Sequence, residues 1–180
     1  MLLIFVLAAI INKNRERMGI TLREMNERTV KNSLSEQVYI IRPQHINSYG
    51  RLFGGILMQW MDELSGIVGR RHSGMDVVTA AVDTLNFKSG ASINDMVVLV
   101  GKVTYVGSTS MEVRVDAYIE SLDGYRKSIN RAYFVMVAVD KKGQALQVPG
   151  LKLENEIQEA EWADGEKRYQ LRKQRRVEGY

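Results

Sequence analysis

The spacing of hydrophobic residues along this chain changes twice, and the changes mark out its elements. Over Gly55–Arg71, Leu57, Trp60, Met61, Leu64, Ile67 and Val68 recur at helical spacing, the pattern of an amphipathic helix. Further along, the period shortens to two. Met111, Val113, Val115, Ala117 and Ile119 face one way, and Glu112, Arg114, Asp116 and Glu120 the other. That alternation predicts a strand at Met111–Glu120, in a sheet with one apolar and one wet face. The runs Val77–Phe87, Met96–Val106 and Lys127–Val139 predict three more strands, with turn signals at Asn94-Asp95, Asp123-Gly124 and Lys141–Gly143. Upstream, Gln37–Arg42 reads as a short strand stopped by Pro43. The expected order is strand, helix, then four antiparallel strands, an α+β arrangement in which one long helix and one twisted sheet bury each other's apolar faces. Such a sheet has open edges, and a dimer joined edge to edge would cover one of them.

The flanks carry different patterns. Residues 1–35 read as an N-terminal extension, 36–150 as the domain, and 151–180 as a charged C-terminal helix. Met1–Ile11 is an unbroken apolar run followed by Lys13, Arg15 and Arg17. It is short for a membrane span, which needs about 20 residues, and its charge lies on the wrong side for a signal peptide. Membrane contact through residues 1–11 is therefore the minor reading. The preferred one is a start placed too early, with Met18 and Met25 as alternatives, in a cytoplasmic protein. The segment Leu153–Arg176 is charged and helical in composition, and is expected to dock through Trp162 and Tyr169 or to contact a partner.

Composition acts mainly by exclusion. With 45% hydrophobic and 26% charged residues, the chain fits one ordinary domain with extensions. It has no cysteine, so disulfides, thiolate nucleophiles and cysteine-held zinc are out. With two histidines, a histidine-rich metal site is not expected. The net charge of +4 is concentrated in residues 1–35, and the rest is close to neutral. No nucleic-acid surface is implied.

Candidate chemistry centres on Asn47–Asp62. This stretch joins a polar turn to Gly54-Gly55 and then to the apolar helix, which holds a carboxylate at Asp62. Gly55, Asp62, Gly66 and Gly69, with Ser65 beside them, form a stripe of small residues. Glycine inside a helix costs about 1 kcal/mol relative to alanine, so the stripe implies close approach by a sheet, a subunit or a ligand. Backbone N–H groups at the glycine pair sit at the positive end of the helix and can polarise a carbonyl. Asp62 could activate water or attack directly, although a structural acceptor role fits the residue equally well. Asn47 could orient water or hold the carbonyl. Glu63 competes, but lies about 100° around the helix, off the stripe. His72 is expected to interact with the helix C-terminus and His45 to shape its loop. No Gly-x-Ser-x-Gly elbow, Walker loop or dinucleotide fingerprint is present.

Taken together, His45-x-Asn47-x-x-Gly50-x-x-Phe53-Gly54-Gly55-x-x-Met58-x-x-Met61-Asp62 resembles the acyl-CoA hydrolase family with the hotdog fold. Further blocks agree in order: Arg71-His72; Val78-Thr79-Ala80 with Val82-Asp83 and Asn86-Phe87; Val106–Val113; Ala132-Tyr133-Phe134 with Val137–Asp140; and Val148-Pro149. The resemblance implies one long helix wrapped by a five-stranded antiparallel sheet. It implies hydrolysis of acyl-CoA thioesters to free acid and coenzyme A, with no cofactor beyond the coenzyme A of the substrate. It also implies a homo-oligomer, a dimer at least and often a trimer of dimers, with Asn47 and Asp62 contributed to each site by opposite subunits and Gly55 at the carbonyl. Arg70, Arg71 and the turn Gly107, Ser108, Thr109 and Ser110 would lie along coenzyme A. The chain departs from the family pattern at Gly90 and Asn94, which bears on loop geometry and acyl-chain preference. A non-catalytic acyl-CoA sensor of the same fold is the rival reading. A hotdog dehydratase would want a histidine within Gly55–Arg71, where there is none.

Overall fold

A computed structural model describes residues 27–179; the apolar run at 1–11 and the alternative starts lie outside the described residues. The helical pattern becomes α2, Gly54–Ser73, and the charged tail becomes α3, Glu156–Glu178. The strands are β2 (Ser35–Ile40), β3 (Asp76–Phe87), β4 (Met96–Val106), β5 (Ser110–Glu120) and β6 (Arg126–Val139). A two-residue β1 (Arg28–Thr29), a one-turn α1 (Val30–Ser33) and β7 (Leu151–Lys152) complete the order. A 3₁₀ turn at Pro43–His45 precedes the loop to α2.

The main sheet runs β2-β4-β5-β6-β3, and all its pairs are antiparallel. β3 follows the helix in sequence, but pairs with β6 at the far edge. The sheet curls around α2, which buries Leu57, Trp60, Met61, Leu64 and Val68 against it. Burial of each such side chain contributes about 1.5–3 kcal/mol. Basic Arg70 and Arg71 sit in the last turn, and the helix closes at Gly74, whose left-handed φ of 71° lets its N–H reach Arg70 O at 2.8 Å. Asn94 takes the left-handed φ of 68° that the Asn-Asp turn needs. This is the hotdog fold, with α3 added on the outside.

Two expectations change. The second face of β5 is not wet: Glu112 and Asp116 are buried beneath α3. Arg168 and Arg172 reach Glu112 at 2.8 and 3.1 Å, Arg114 bridges Asp116 and Glu161, and Arg131 holds Asp116. Tyr105 packs on Trp162 and Tyr169, the two residues expected to dock the helix. Gly165 makes the contact possible, since a Cβ there would lie 2.6 Å from Tyr105 Cβ. Alternation along one strand cannot foresee a cover whose cations come from another segment of the chain. The second change concerns residues 28–33, which belong to the folded body rather than to an N-terminal extension. β1 pairs in parallel with β7, and Val30 and Ser33 are buried. One apolar residue in a polar stretch leaves no period to read.

Candidate active site

The start of α2 is shaped by two aromatic rings. Phe53 N–H donates to His45 O at 2.9 Å, which fixes the approach of the loop, and no side chain caps the helix. The Phe53 ring lies over Gly55 and the Phe87 ring over Gly54; a Cβ would come within 2.6 and 2.9 Å of them respectively. The glycine pair thus admits rings where other residues would exclude them. It leaves the first helical N–H groups without a side-chain partner.

Two clefts flank this point. One, of about 370 Å³, is lined by Gly55, Met58, Gln59, Asp62, Thr79, Val82 and Phe134. The other, of about 380 Å³, includes Asn47, Arg51, Gly54, Leu57, Phe87 and Ser89. Asp62 and Asn47 therefore open into different clefts of the same chain. Asp62 is half-buried, and its Oδ1 accepts from Thr79 Oγ1 at 2.6 Å. The carboxylate is thus not in the core, as its place in an apolar helix suggested. The stripe beside it is split: Gly69 packs on Met136 and Val77 of the sheet, while Gly66 has no atom near its missing side chain. Asn47 Oδ1 accepts from the N–H groups of Tyr49 and Arg51 at 2.9 and 3.2 Å, so this acceptor builds its own loop. Glu63 is exposed and takes a hydrogen bond from Gln59.

The other expected residues separate. Arg70 is exposed and pairs with Asp76 at 3.4 Å, beside an open cleft that it shares with Lys141. Arg71 donates to Ser35 Oγ at 2.7 Å and so ties α2 to β2. The Gly107–Ser110 turn is closed by Gly107 N–H on Ser110 O at 2.7 Å, and its Thr109 O accepts from Ala138 N–H. The turn lines neither of the clefts beside the glycine pair. His45 Nδ1 accepts from Arg42 N–H and its ring meets Trp60 edge-on, the expected loop role. His72 departs from expectation. It is fully buried, with Nε2 3.3 Å from Pro149 O and Nδ1 without a partner. Burial, with Arg28 nearby, holds it below the ordinary imidazole range, against the opposing pull of the Pro149 carbonyl. It is a neutral core residue, not a cation at the helix end. Thr79 is the functional candidate that sequence reasoning left without a role. Its signal, a hydroxyl facing Asp62, exists only once β3 lies beside α2.

Known proteins give this geometry a context. The profile of the Thioesterase superfamily matches residues 49–123. The human cytosolic acyl coenzyme A thioester hydrolase is 31% identical over 152 residues, covering 82% of this chain and 40% of that protein. The chain therefore spans well under half the length of such mammalian relatives. A Bacillus subtilis protein named as an uncharacterized acyl-CoA thioester hydrolase is 36% identical over 115 residues, 63% of this chain and 67% of that one. Among solved structures, the Staphylococcus aureus acyl-CoA hydrolase bound to butyryl coenzyme A and coenzyme A superposes with a TM-score of 0.80 at 30% identity, covering 84% and 93% of the two chains. A hexameric acyl-CoA thioesterase gives 0.79 at 32%, over 83% and 97%. The S. aureus enzyme has also been solved with an asparagine, an aspartate and a threonine each changed to alanine, at the same mutual spacing as Asn47, Asp62 and Thr79 here. With this fold, these clefts and these relatives, the chain belongs to the acyl-CoA thioester hydrolases of the thioesterase superfamily.

Proposed function

We propose that this protein hydrolyses acyl-CoA thioesters to free acid and coenzyme A, in the cytoplasm, as a homo-oligomer whose sites are shared between subunits. The observation that carries this reading is the pairing of an open carboxylate with an uncapped glycine helix start, Asp62 and Gly54-Gly55, with Thr79 on the carboxylate. Thr79 engages Oδ1 and leaves Oδ2 free to take a proton from the attacking water. The thioester oxygen gathers negative charge as water adds, and the helix N–H groups stabilise it. Removing one such donor in acyl-transfer enzymes costs about 2.7–4 kcal/mol.

One chain supplies only half of such a site, because Asn47 lines the other cleft. β3 is an edge strand, and it exposes Val78 and Val82 beside the Asp62 cleft along with Met58 of α2. An apolar edge of this kind calls for a partner. A second copy joined there would bring its own Asn47 to this Asp62, and three such dimers would make the hexamer known for a related thioesterase. Exposed Arg70 is better placed than Arg71 to meet the phosphates of coenzyme A, with the Gly107–Ser110 turn as the other contact on that part of the substrate. Among the described residues, no helix is long and apolar enough to cross a membrane.

The test is release of free thiol from a panel of acyl-CoA substrates by the purified full chain. Turnover on at least one chain length is expected. Saturable acyl-CoA binding without thiol release would replace the hydrolase with a sensor.

A further inference from the structure

The cleft that holds Asn47 carries positive charge with nothing to balance it. Arg51 and Lys88 both line it, both are exposed, and no acidic residue belongs to its wall. Among the described residues, neither cation pairs with an acidic side chain. The other two clefts differ: one contains the Asp62 carboxylate, and in the other Arg70 and Lys141 are accompanied by Asp76 and Asp140. The base of Arg51 is fixed. Its N–H donates to Asn47 Oδ1 at 3.2 Å, and its carbonyl accepts from Asn47 N–H at 2.8 Å. Leu52 N–H on Ala91 O at 2.8 Å pins that turn to the segment after Lys88. The Arg51 side chain lies against Gly90, where a Cβ would come within 2.8 Å of Nη1 and 2.9 Å of Cδ. Lys88 is anchored by its N–H on Ile129 O at 3.0 Å. The same wall offers apolar surface at Leu57, Phe87 and Ile129.

A cleft lined by one sign of charge draws anions. An acyl-CoA offers two sources, the phosphates of coenzyme A and an acyl group that ends in a carboxylate. Reach decides between them. Arg51 N lies 3.2 Å from Asn47 Oδ1. An arginine extends about 7 Å past its Cα, so the guanidinium stays within about 12 Å of the Asn47 side chain. The arm of coenzyme A from thioester sulfur to diphosphate spans about 16 Å when extended. With Asn47 at the thioester, the phosphates fall beyond Arg51. An acyl chain of five or six carbons places a terminal carboxylate about 5–6 Å from the thioester carbonyl, inside that reach. We infer that Arg51 and Lys88 form an anion subsite for the terminal carboxylate of short dicarboxylic acyl groups, so that their coenzyme A thioesters are substrates. The inference rests on the hydrolase reading, which puts Asn47 beside the reacting carbonyl. The apolar part of the wall takes the methylenes. The guanidinium takes the carboxylate through two parallel hydrogen bonds, and the Lys88 ammonium adds a point charge. Without the cations, a carboxylate entering the cleft would exchange water for apolar surface at an uncompensated cost.

The experiment measures the ratio of kcat/KM for adipoyl-CoA to that for hexanoyl-CoA, two six-carbon substrates, in wild type, Arg51→Gln, Lys88→Gln and Gly90→Ala. Wild type should turn over adipoyl-CoA within about tenfold of hexanoyl-CoA or better; a larger deficit overturns the inference. Arg51→Gln should lower the ratio by about tenfold, the worth of a hydrogen bond to a charged group, and Lys88→Gln a few-fold. Gly90→Ala keeps both charges but displaces the guanidinium, and should also lower the ratio. A ratio unchanged in Arg51→Gln overturns the inference. The same pair of acyl groups on pantetheine, which lacks the phosphates, separates the two anion sources. If Arg51→Gln slows both coenzyme A substrates alike and neither pantetheine thioester, Arg51 serves the phosphates and the inference falls. If thermal unfolding shows that Arg51→Gln does not fold, the ratio in Lys88→Gln decides, and no change there overturns it. If no acyl-CoA is turned over, the hydrolase reading falls. The adipoyl-to-hexanoyl ratio measured as affinity by calorimetry, in wild type and Arg51→Gln, then decides the subsite by the same criteria.

Discussion

Glu112 and Asp62 are two carboxylates in opposite circumstances. Glu112 is a strand residue with no exposed side-chain surface, held by Thr104, Arg168 and Arg172. Asp62 is a helix residue, half-exposed, with Thr79 on one oxygen and a cleft before it. A buried charge is tolerated only when fully paired, and its partners then lock elements together. A charge left open next to an uncapped helix start has energy available for chemistry. By residue type alone the expectation is the reverse, with the acid in the apolar helix buried and the acids on the alternating strand wet.

Activity and stability should separate along this line. Asp62→Asn should lower thiol release by about 10²–10⁴-fold, the worth of a general base, with an unchanged melting temperature. A rate close to wild type would remove Asp62 from the mechanism. Glu112→Gln should do the opposite. It leaves Arg168 and Arg172 beneath α3 without their anion, and breaking a buried pair costs about 3–5 kcal/mol. Denaturant unfolding should register that loss, and a change within about 0.5 kcal/mol, the range of an ordinary surface substitution, would mean that the cluster does not hold α3.

Much of this was readable from residues 36–150. The long helix and the strands follow from periods of 3.6 and 2, and the Asn47–Asp62 segment stands out by its glycines. What stayed hidden depends on segments far apart in sequence. The outer face of β5 is covered by cations from α3, which looks like an ordinary solvated helix when read alone. His72 follows two arginines and suggests a helix-end cation, yet Pro149, brought in from beyond β6, buries it. Thr79 has no distinguishing neighbours until β3 crosses from the helix to the far edge of the sheet.

The comparison sharpens through two smaller effects. Thr79→Val keeps the shape but removes the donor to Asp62, and should slow turnover by about 10–100-fold, the value of a hydrogen bond to a charged group. Thr79→Ser should restore most of the rate; a valine variant at full rate, or a serine variant as slow as valine, would reduce Thr79 to packing. His72 supplies the pH effect. Its folded pKa lies below its unfolded value of about 6.5, so the unfolded chain takes up the proton first. Stability should be unaffected at neutral pH and fall as pH drops below about 6.5, until the folded pKa is passed. His72→Gln should flatten the slope between about pH 6.5 and 5, ahead of ordinary carboxylate titration. An unchanged slope would place the acid sensitivity elsewhere.

The most direct measurement is complementation between two inactive variants. Asn47→Ala and Asp62→Asn are each purified, mixed in equal amounts, exchanged by mild denaturation and refolding, and assayed for thiol release. If each site joins Asn47 of one subunit to Asp62 of the other, mixed dimers regain one intact site, and activity should return to about a quarter of wild type. A mixture no more active than the two variants alone would contradict the shared site.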